Sequence, residues 1–338
     1  MEYTFENLNI ASIILSRELL KNGIRRKTRG FDCIELPEPV LIHINNPLDR
    51  YMNIKERKNH KVLPFAESLA LASGINSMDL YASYVPSMME YSDDGQYQRA
   101  GYGPRIRCFS GYGYDYKIDD IIDREIISGN PVVVDQLKFV IETLKKDLYS
   151  RQAIITIHDP GKDCFTKSGG LLVTKDQPCS RSLQFMVVNG MLDLTLYIRS
   201  NDLLYGFQAV NVFNFTFMLE YVANILKIPV GRYHHLANNL HFYEDKWQLV
   251  ETMASKNVDD YVSVFDRWSY PYFILDLKHF DENIKDLVRV EKALREGKDT
   301  KFYGDKIKFF DDWYKVFVQY WKKEKQVFHN PYLNKLFS

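Results

Sequence analysis

The chain has little cysteine, and the four it has, Cys33, Cys108, Cys164 and Cys179, show no Cys-x-x-Cys spacing. That argues against a disulfide framework and a zinc site, so no metal is expected. No apolar run approaches the roughly 20 residues needed to cross a bilayer. The opening Met-Glu-Tyr-Thr-Phe-Glu lacks a signal-peptide pattern, so the expected location is cytoplasmic, with no membrane partner. Net charge is missing too: Lys+Arg and Asp+Glu are both 44. A balanced chain is a poor candidate for coating nucleic acid or lying on a membrane surface. Repeats, low-complexity segments and linkers are absent.

What is present fits a soluble globular protein: 46% hydrophobic and 26% charged residues, with 21 Phe and 23 Tyr. A length of 338 residues allows one large domain or two ordinary ones. With no linker, the reading is one α+β domain over 1–338, strands in the middle and helices around them. Asn9 is the expected cap of a helix running to about Asn22, with Gly23 as its stop. Residues 38–45 read as a strand, and Asn46-Pro47 as a turn. Residues 62–73 read as a helix ended by Gly74, and residues 92–115, rich in Gly, Tyr, Ser and Asp, as a long loop. Val134 to Lys146 has Leu137, Val140, Ile141 and Leu144 at helical spacing. Ala153–Ile157 reads as a short buried strand. Leu183–Val188 and Leu192–Tyr197 alternate around Asn189-Gly190, a strong hairpin signal. Val212–Leu226 reads as a buried helix, and Trp313, Phe317 and Trp321 recur at helical intervals, with Lys322-Lys323 at that helix's C-terminus.

The chemistry concentrates between Gln177 and Tyr243. Gln177-Pro178-Cys179 is followed by Arg199-Ser200-Asn201-Asp202, Gly206, Asn211, His235 and His241-Phe242-Tyr243. One thiol, one arginine, a short polar set and a His-x-Tyr can hold a nucleotide while a cysteine attacks it. A thiolate adds and leaves readily, and nearby positive charge lowers its pKa. A lone cysteine is otherwise most often buried and inert.

In order and spacing these residues resemble the thymidylate synthase family, which transfers one-carbon units to C5 of pyrimidine nucleotides. That family has a Pro-Cys nucleophile, a hairpin, Arg-Ser-x-Asp-x-x-x-Gly, an Asn, and then His, five residues and His-x-Tyr. Asp135-Gln136-Leu137, Ser150-Arg151-Gln152 and Tyr102-Gly103-x-x-x-Arg107 match further pieces, and Glu67 sits on a helix where the family keeps a catalytic glutamate. The match covers roughly residues 60–250; the region 280–338 diverges. The resemblance implies Cys179 as nucleophile, and Arg199 and Ser200 on the nucleotide phosphate. It implies Asn211 reading N3 and O4 of uracil, His241 and Tyr243 at the sugar 3′-hydroxyl, and Asp202 and Tyr102 ordering the pocket. Glu67 would relay protons to O4 through water. Arg151 would reach the phosphate of a second subunit, making a homodimer. Arg50, in an early loop, is a weaker phosphate candidate that reads more readily as a solvated charge. The implied cofactor is 5,10-methylenetetrahydrofolate, and the substrate a pyrimidine nucleoside monophosphate.

The chain also departs from that family. Ser180 stands where His is usual, the step from Gly206 to Asn211 is one residue longer, and Gln208 replaces a proline. Asn214 is therefore a rival reader of the base. Met88, Met89 and Tyr91 stand where tryptophans are usual, and His158-Asp159 where Trp-Asn is usual. The chain ends in a long basic-aromatic helix and Asn-Pro-Tyr-Leu-Asn-Lys-Leu-Phe-Ser instead of a short closing tail. A synthase must keep water from an exocyclic methylene until hydride arrives; a hydroxymethylase lets water add. The losses tilt the expectation to hydroxymethylation of dUMP, with methyl transfer to dUMP or hydroxymethylation of dCMP or CMP as alternatives. A non-catalytic nucleotide-binding descendant is a further alternative, although it would more readily have lost Cys179 or Arg199. A cysteine hydrolase using His235 or His241 lacks a recognisable oxyanion motif.

Overall fold

The computed structural model describes residues 1–28, 30–110, 115–121, 133–265, 267–271, 274–304 and 307–338. The first helix, Leu8–Asn22, is capped two residues earlier than expected. Asn7, not Asn9, accepts from Ile10 N, at 3.0 Å. Asn9 lies inside the first turn and ties the helix to the next loop, donating to Tyr51 O and accepting from Asn53 N. An Asn does this when its amide finds backbone partners other than the cap.

Strands β1 (Glu2–Phe5), β4 (Val40–Ile44), β5 (Ile154–Thr156), β6 (Ser180–Val188), β7 (Met191–Ile198) and β9 (Val230–Ala237) form a mixed sheet in the order β1-β4-β9-β7-β6-β5. Strand period makes its two faces unlike. One row across five of these strands, Ile155, Leu183, Leu196, His235 and Ile42, is fully buried. The next row, Ile154, Gln184, Thr195, His234, His43 and Thr4, lies on the opposite face. β5 is therefore an edge strand with one wet face, not a fully buried one: Ile154 is 40% exposed. Asn189 and Gly190 both take positive φ, 51° and 76°, as a two-residue hairpin turn requires.

A smaller sheet, ordered β2-β3-β10-β8, joins Ile24–Thr28, Phe31–Glu35, Leu240–Tyr243 and Asn201–Asp202. It sets a basic hairpin directly against His241 and Tyr243. Helices Leu63–Ser73, Val212–Leu226, Leu277–Arg295 and Lys308–Lys322 pack into one core cluster running from Phe5 to Leu336. Gly74, at φ 89°, closes the first of these helices. The stretch read as one long loop from 92 to 115 holds a helix, Tyr102–Arg107; residues 111–114 lie outside the described residues.

Leu203–Leu226 is one continuous helix of 24 residues, long and apolar enough by composition to cross a membrane. In this fold it is a core helix, with 83% of its apolar window buried. Its first part, Leu203–Asn211, is π-helical. A π turn accommodates one extra residue in a helix, and such bulges recur at functional sites. The step from Gly206 to Asn211, one residue longer than the family's usual spacing, lies within it.

Two sequence pieces prove to be one structural bond. Arg107, fully buried, grips both carboxylate oxygens of Asp135 at 2.9–3.2 Å and also pairs with Asp281. Gln136 donates to Arg105 O and Thr156 O and accepts from Thr156 N. The Asp-Gln-Leu and Tyr-Gly-x-x-x-Arg motifs thus join helix Tyr102–Arg107 to β5.

Candidate active site

The open end of the β6–β7 hairpin sets the first two parts. Cys179 precedes β6, Arg199 follows β7, and Arg199 N donates to Cys179 O at 2.9 Å. The Arg199 guanidinium folds over the same turn, with Nε 3.0 Å from Pro178 O and Nη2 3.2 Å from Gln177 O. Cys179 is half-buried, its Sγ 3.8 Å from Gln177 O. The ladder slips register between Ser180 and Ser182. A bulge at this point re-aims side chains beside the cysteine.

Tyr102 closes the next side. Its hydroxyl accepts from Ser180 N at 3.0 Å. Burial, then the charge of Cys179, pushes Tyr102 up to about 12, so it stays neutral and keeps a proton to donate. Its ring stacks on Phe215, centroids 6.4 Å apart. Phe215 follows Asn214, whose Nδ2 donates to Glu67 Oε2 at 2.9 Å while its Oδ1 accepts from Ser68 Oγ at 3.0 Å. Burial pushes the Glu67 carboxyl up to about 7, against the pull of the Asn214 hydrogen bond. A carboxyl with that value exchanges protons at neutral pH.

The π-helical corner carries the rest. Asp202 caps it, accepting from Tyr205 N, and burial pushes its carboxyl up to about 6. Gly206 is required by close approach: a Cβ there would meet Asn201 Nδ2 at 2.2 Å and Asn211 Oδ1 at 3.1 Å. Asn211 thus lies close over Gly206, while Asn214 is held by Glu67. Ser200 is half-buried between Arg199 and the buried Asn201. β8 pairs in parallel with β10, aligning Asp202 with His241, and the His241 and Tyr243 rings lie 5.5 Å apart.

Three expected residues fall elsewhere. Arg50 is not a solvated charge: its side chain is 1% exposed and pairs with Glu220 at 2.6 Å. It also lies over the rings of Phe213 and Phe217, at 5.9 and 5.3 Å. Arg151 is exposed just ahead of β5, the strand beside β6; because the two run antiparallel, it lies toward the far end of β6 from the Cys179 turn. His235 is fully buried, bonds to Tyr233 through Nδ1, and is held far below the usual range by burial, to about 3.

Four residues escaped the sequence reading. Asp176, three before the cysteine, accepts from Ala100 N at 2.8 Å, and burial raises its pKa. Tyr81 is fully buried, and after burial the charges of Glu67 and Asp176 raise it further. Arg57 reaches into the π corner, donating to Gln208 Oε1 at 3.0 Å and Leu204 O at 2.6 Å. Asn239 contacts His241 at 2.8 Å. Only Asp176 had a sequence signal, its place beside Gln177-Pro178-Cys179. Away from this site, Asp311, Asp312 and His329 bring ligand-type atoms within 4.8 Å of one another. Asp312 is engaged by Tyr270 and by the backbone N–H groups of His329 and Asn330, and Asp311 by Lys315 and His329.

A cysteine and an arginine across a hairpin mouth, an Asn–Glu pair beside them and a His-x-Tyr strand define a class: nucleotide sites built around a thiol nucleophile. The family model for thymidylate synthase matches residues 71–269. The chain belongs to the thymidylate synthase family. It is 32% identical to the deoxyuridylate hydroxymethyltransferase of Bacillus phage SP01, over 72% of this chain and 60% of that protein. The protein of the same name from Pseudomonas phage M6 is 29% identical, over 70% and 60%. The thymidylate synthase of Staphylococcus haemolyticus is 30% identical, over 44% and 42%. The chain thus spans about 60% of the length of the two phage relatives.

Proposed function

We propose that this chain transfers a one-carbon unit from 5,10-methylenetetrahydrofolate to C5 of dUMP and finishes the reaction with water, giving the 5-hydroxymethyl nucleotide. The observation that carries the proposal is the Cys179–Arg199 pairing at the hairpin mouth, with Glu67 held at a neutral-range pKa by burial and linked to Asn214. The Cys179 thiolate adds to C6 of the pyrimidine, which makes C5 nucleophilic. Arg199 and Ser200 hold the phosphate, Asn211 pairs with the base edge, and His241 and Tyr243 hold the sugar. Glu67 passes a proton to and from O4 through water.

The donor set suits the folate. Asp202 Oδ2 is a buried acceptor with no partner among the described residues, and a pterin edge presents N–H donors. Asp202 would hold that edge, and the cofactor would supply the methylene carbon. On the opposite wall, Met89 and Tyr91 are 42% and 58% exposed in the Pro86–Tyr91 turn. Met88, Met89 and Tyr91 stand there in place of the family's usual tryptophans, which favours water as the last reactant. Helix Pro331–Phe337 is docked, with Tyr332 between Asn46 and Phe265 and Lys61 bonded to Leu336 O, unlike a short sealing tail. The names of the two phage relatives and the Asn at position 211 support a uracil base.

The open face of the six-stranded sheet supports a homodimer. Ile154, Val188 and Tyr197 are 40%, 42% and 38% exposed on it. Gln184, from the same face, donates to Arg151 O at 3.0 Å. A second copy seated on this face would bring Arg151 toward its partner's site. Mass spectrometry of products from dUMP, dCMP and CMP with the folate tests the reaction; conversion of dCMP ahead of dUMP would overturn the substrate. Mixing inactive Arg151→Ala with inactive Cys179→Ala protein tests the sharing: hybrid dimers should recover activity, and none should appear if each site is self-contained.

A further inference from the structure

At the turn end of the β6–β7 hairpin lies a cavity of about 270 Å³ that the chemistry above does not use. Leu48, Met191, Ile228 and Val230 give it apolar walls, and Glu220, Arg267 and Ser269 supply polar groups. Met191 opens β7, and Arg199 follows the other end of that strand. The 8 residues of β7, roughly 25 Å of strand, separate Met191 from the Cys179 turn. Ser269 is exposed and Arg267 half-buried, so the mouth is on their side. Arg267 Nη2 donates to Val230 O and Gly231 O, each at 2.8 Å. A guanidinium has five N–H groups, so Arg267 keeps donors for a ligand.

Glu220 decides what that ligand is. It is 7% exposed. Arg50 Nη2 holds its Oε2 at 2.6 Å, and no other hydrogen bond among the described residues reaches the carboxylate. Arg50 lies over the rings of Phe213 and Phe217, so the pair is held in place. Oε1 is left as a preset acceptor for the cavity, and a buried carboxylate oxygen needs a donor. A cation is the wrong donor. Arg50 already neutralises the carboxylate, and Arg267 adds a second positive charge to the wall, so an ammonium would be repelled. A neutral N–H is not, and a carbonyl beside it can accept from Arg267. The volume lies just below the roughly 300 Å³ at which pockets for larger ligands begin, which suits a single ring. We propose that this cavity binds a small neutral ring with an N–H beside a carbonyl, an imide or lactam, its N–H on Glu220 Oε1. The proposal does not rest on the reaction assigned above.

Glutarimide, a six-membered imide with one N–H, is the probe. N-methylglutarimide lacks the donor, and piperidinium is a cation of the same ring size. Methyl NMR spectra of the wild-type protein should show glutarimide shifting Met191, Ile228 and Val230. It should bind there about ten- to hundredfold more tightly than N-methylglutarimide, the worth of a hydrogen bond to a charged acceptor. Piperidinium should bind no more tightly than the N-methyl compound. In Glu220→Gln, Arg50 keeps the amide oxygen and the NH2 faces the cavity, so the ratio should fall to near one. Met191→Trp fills the cavity from its rim without touching the Arg50–Glu220 pair, and should abolish the shifts at Ile228 and Val230. No shift at these methyls with any probe leaves the cavity to water and overturns the proposal. So does equal binding of the two imides to wild type, or tighter binding of piperidinium. These wild-type results decide the matter even if neither variant folds. In folded variants, an unchanged ratio in Glu220→Gln or persistent shifts in Met191→Trp overturn it as well.

Discussion

The two walls of the site were built under different constraints. On the nucleotide wall, Cys179, Arg199, Asp202, Gly206 and Asn211 hang on backbone geometry: a hairpin mouth, a parallel bridge and a π turn. On the side proposed for the folate, Met88, Met89 and Tyr91 ride a short turn, and the C-terminal helices pack on the core through apolar contacts and the docked Tyr332. A wall held by backbone bonds keeps its residue types, because each has one place it can stand. A wall of side-chain packing can be rebuilt with other residues of similar size. In the proposed reaction the first wall would generate the nucleophilic C5, and the second would decide what reaches the methylene afterwards.

Removing the nucleophile separates the walls most sharply. Cys179→Ala should abolish turnover and tritium release from C5 while nucleotide affinity stays within a few-fold of wild type; normal turnover would remove the thiol from the mechanism.

Glu67 tests the seam between the walls. Glu67→Gln should lower kcat by about 10²–10⁴, the usual worth of a positioned acid–base group. It should also make the protein more stable in base. The folded-state pKa is raised from 4.5 to about 7, so the folded state holds the proton more tightly than the unfolded chain. Below pH 4.5 both states are protonated and nothing is lost. Between the two values stability falls as pH rises, and above 7 the full cost, at most about 3 kcal/mol, is present. Urea unfolding at pH 5 and pH 8 checks it: the variant should gain on wild type only at the higher pH, and equal gains would refute the buried-carboxyl account.

Two arginines sharpen the contrast. Arg50→Leu strips Glu220 of its partner and should cost about 3–5 kcal/mol of stability. Its nucleotide Kd should change little. Arg199→Leu should do the reverse. Thermal denaturation and calorimetric titration on both variants suffice, and a large Kd change in Arg50→Leu would return that residue to the site.

This pair also marks what was legible in the sequence. Arg50 and Arg199 differ in sequence only by their neighbours. The short motif around Arg199 fixed its place, whereas the fate of Arg50 depended on Glu220, 170 residues away. Local signals behaved likewise. The Asn189-Gly190 turn, the Gly74 stop and the buried helix Val212–Leu226 were readable because each is decided within a few residues. The cap at Asn7 was misread as Asn9, since both amides are polar and only long-range partners, Asp49 and Tyr51, choose between them. The extra residue before Asn211 was visible, but the π turn in which it lies was not. The chain of bonds from Arg26 through Glu35 and Asn239 to His241 was invisible, because these residues meet only across strands.

The smallest expected effect concerns the base. Asn211 sits over Gly206 while Asn214 is tied to Glu67 and Ser68. Asn211→Asp should therefore shift preference from dUMP toward dCMP by roughly ten- to hundredfold, the cost of one or two unpaired buried polar groups. Competition assays with both nucleotides measure it. An unchanged ratio in Asn211→Asp would clear Asn211 of that role, leaving Asn214 as the candidate.

The contrast between a kept nucleotide wall and a rebuilt opposite wall comes down to the last reactant. Wild-type protein should be run with dUMP and the folate in water enriched in the heavy oxygen isotope, and the product weighed. The account predicts a 5-hydroxymethyl nucleotide carrying the solvent label on its new hydroxyl. A 5-methyl product without that label would contradict it.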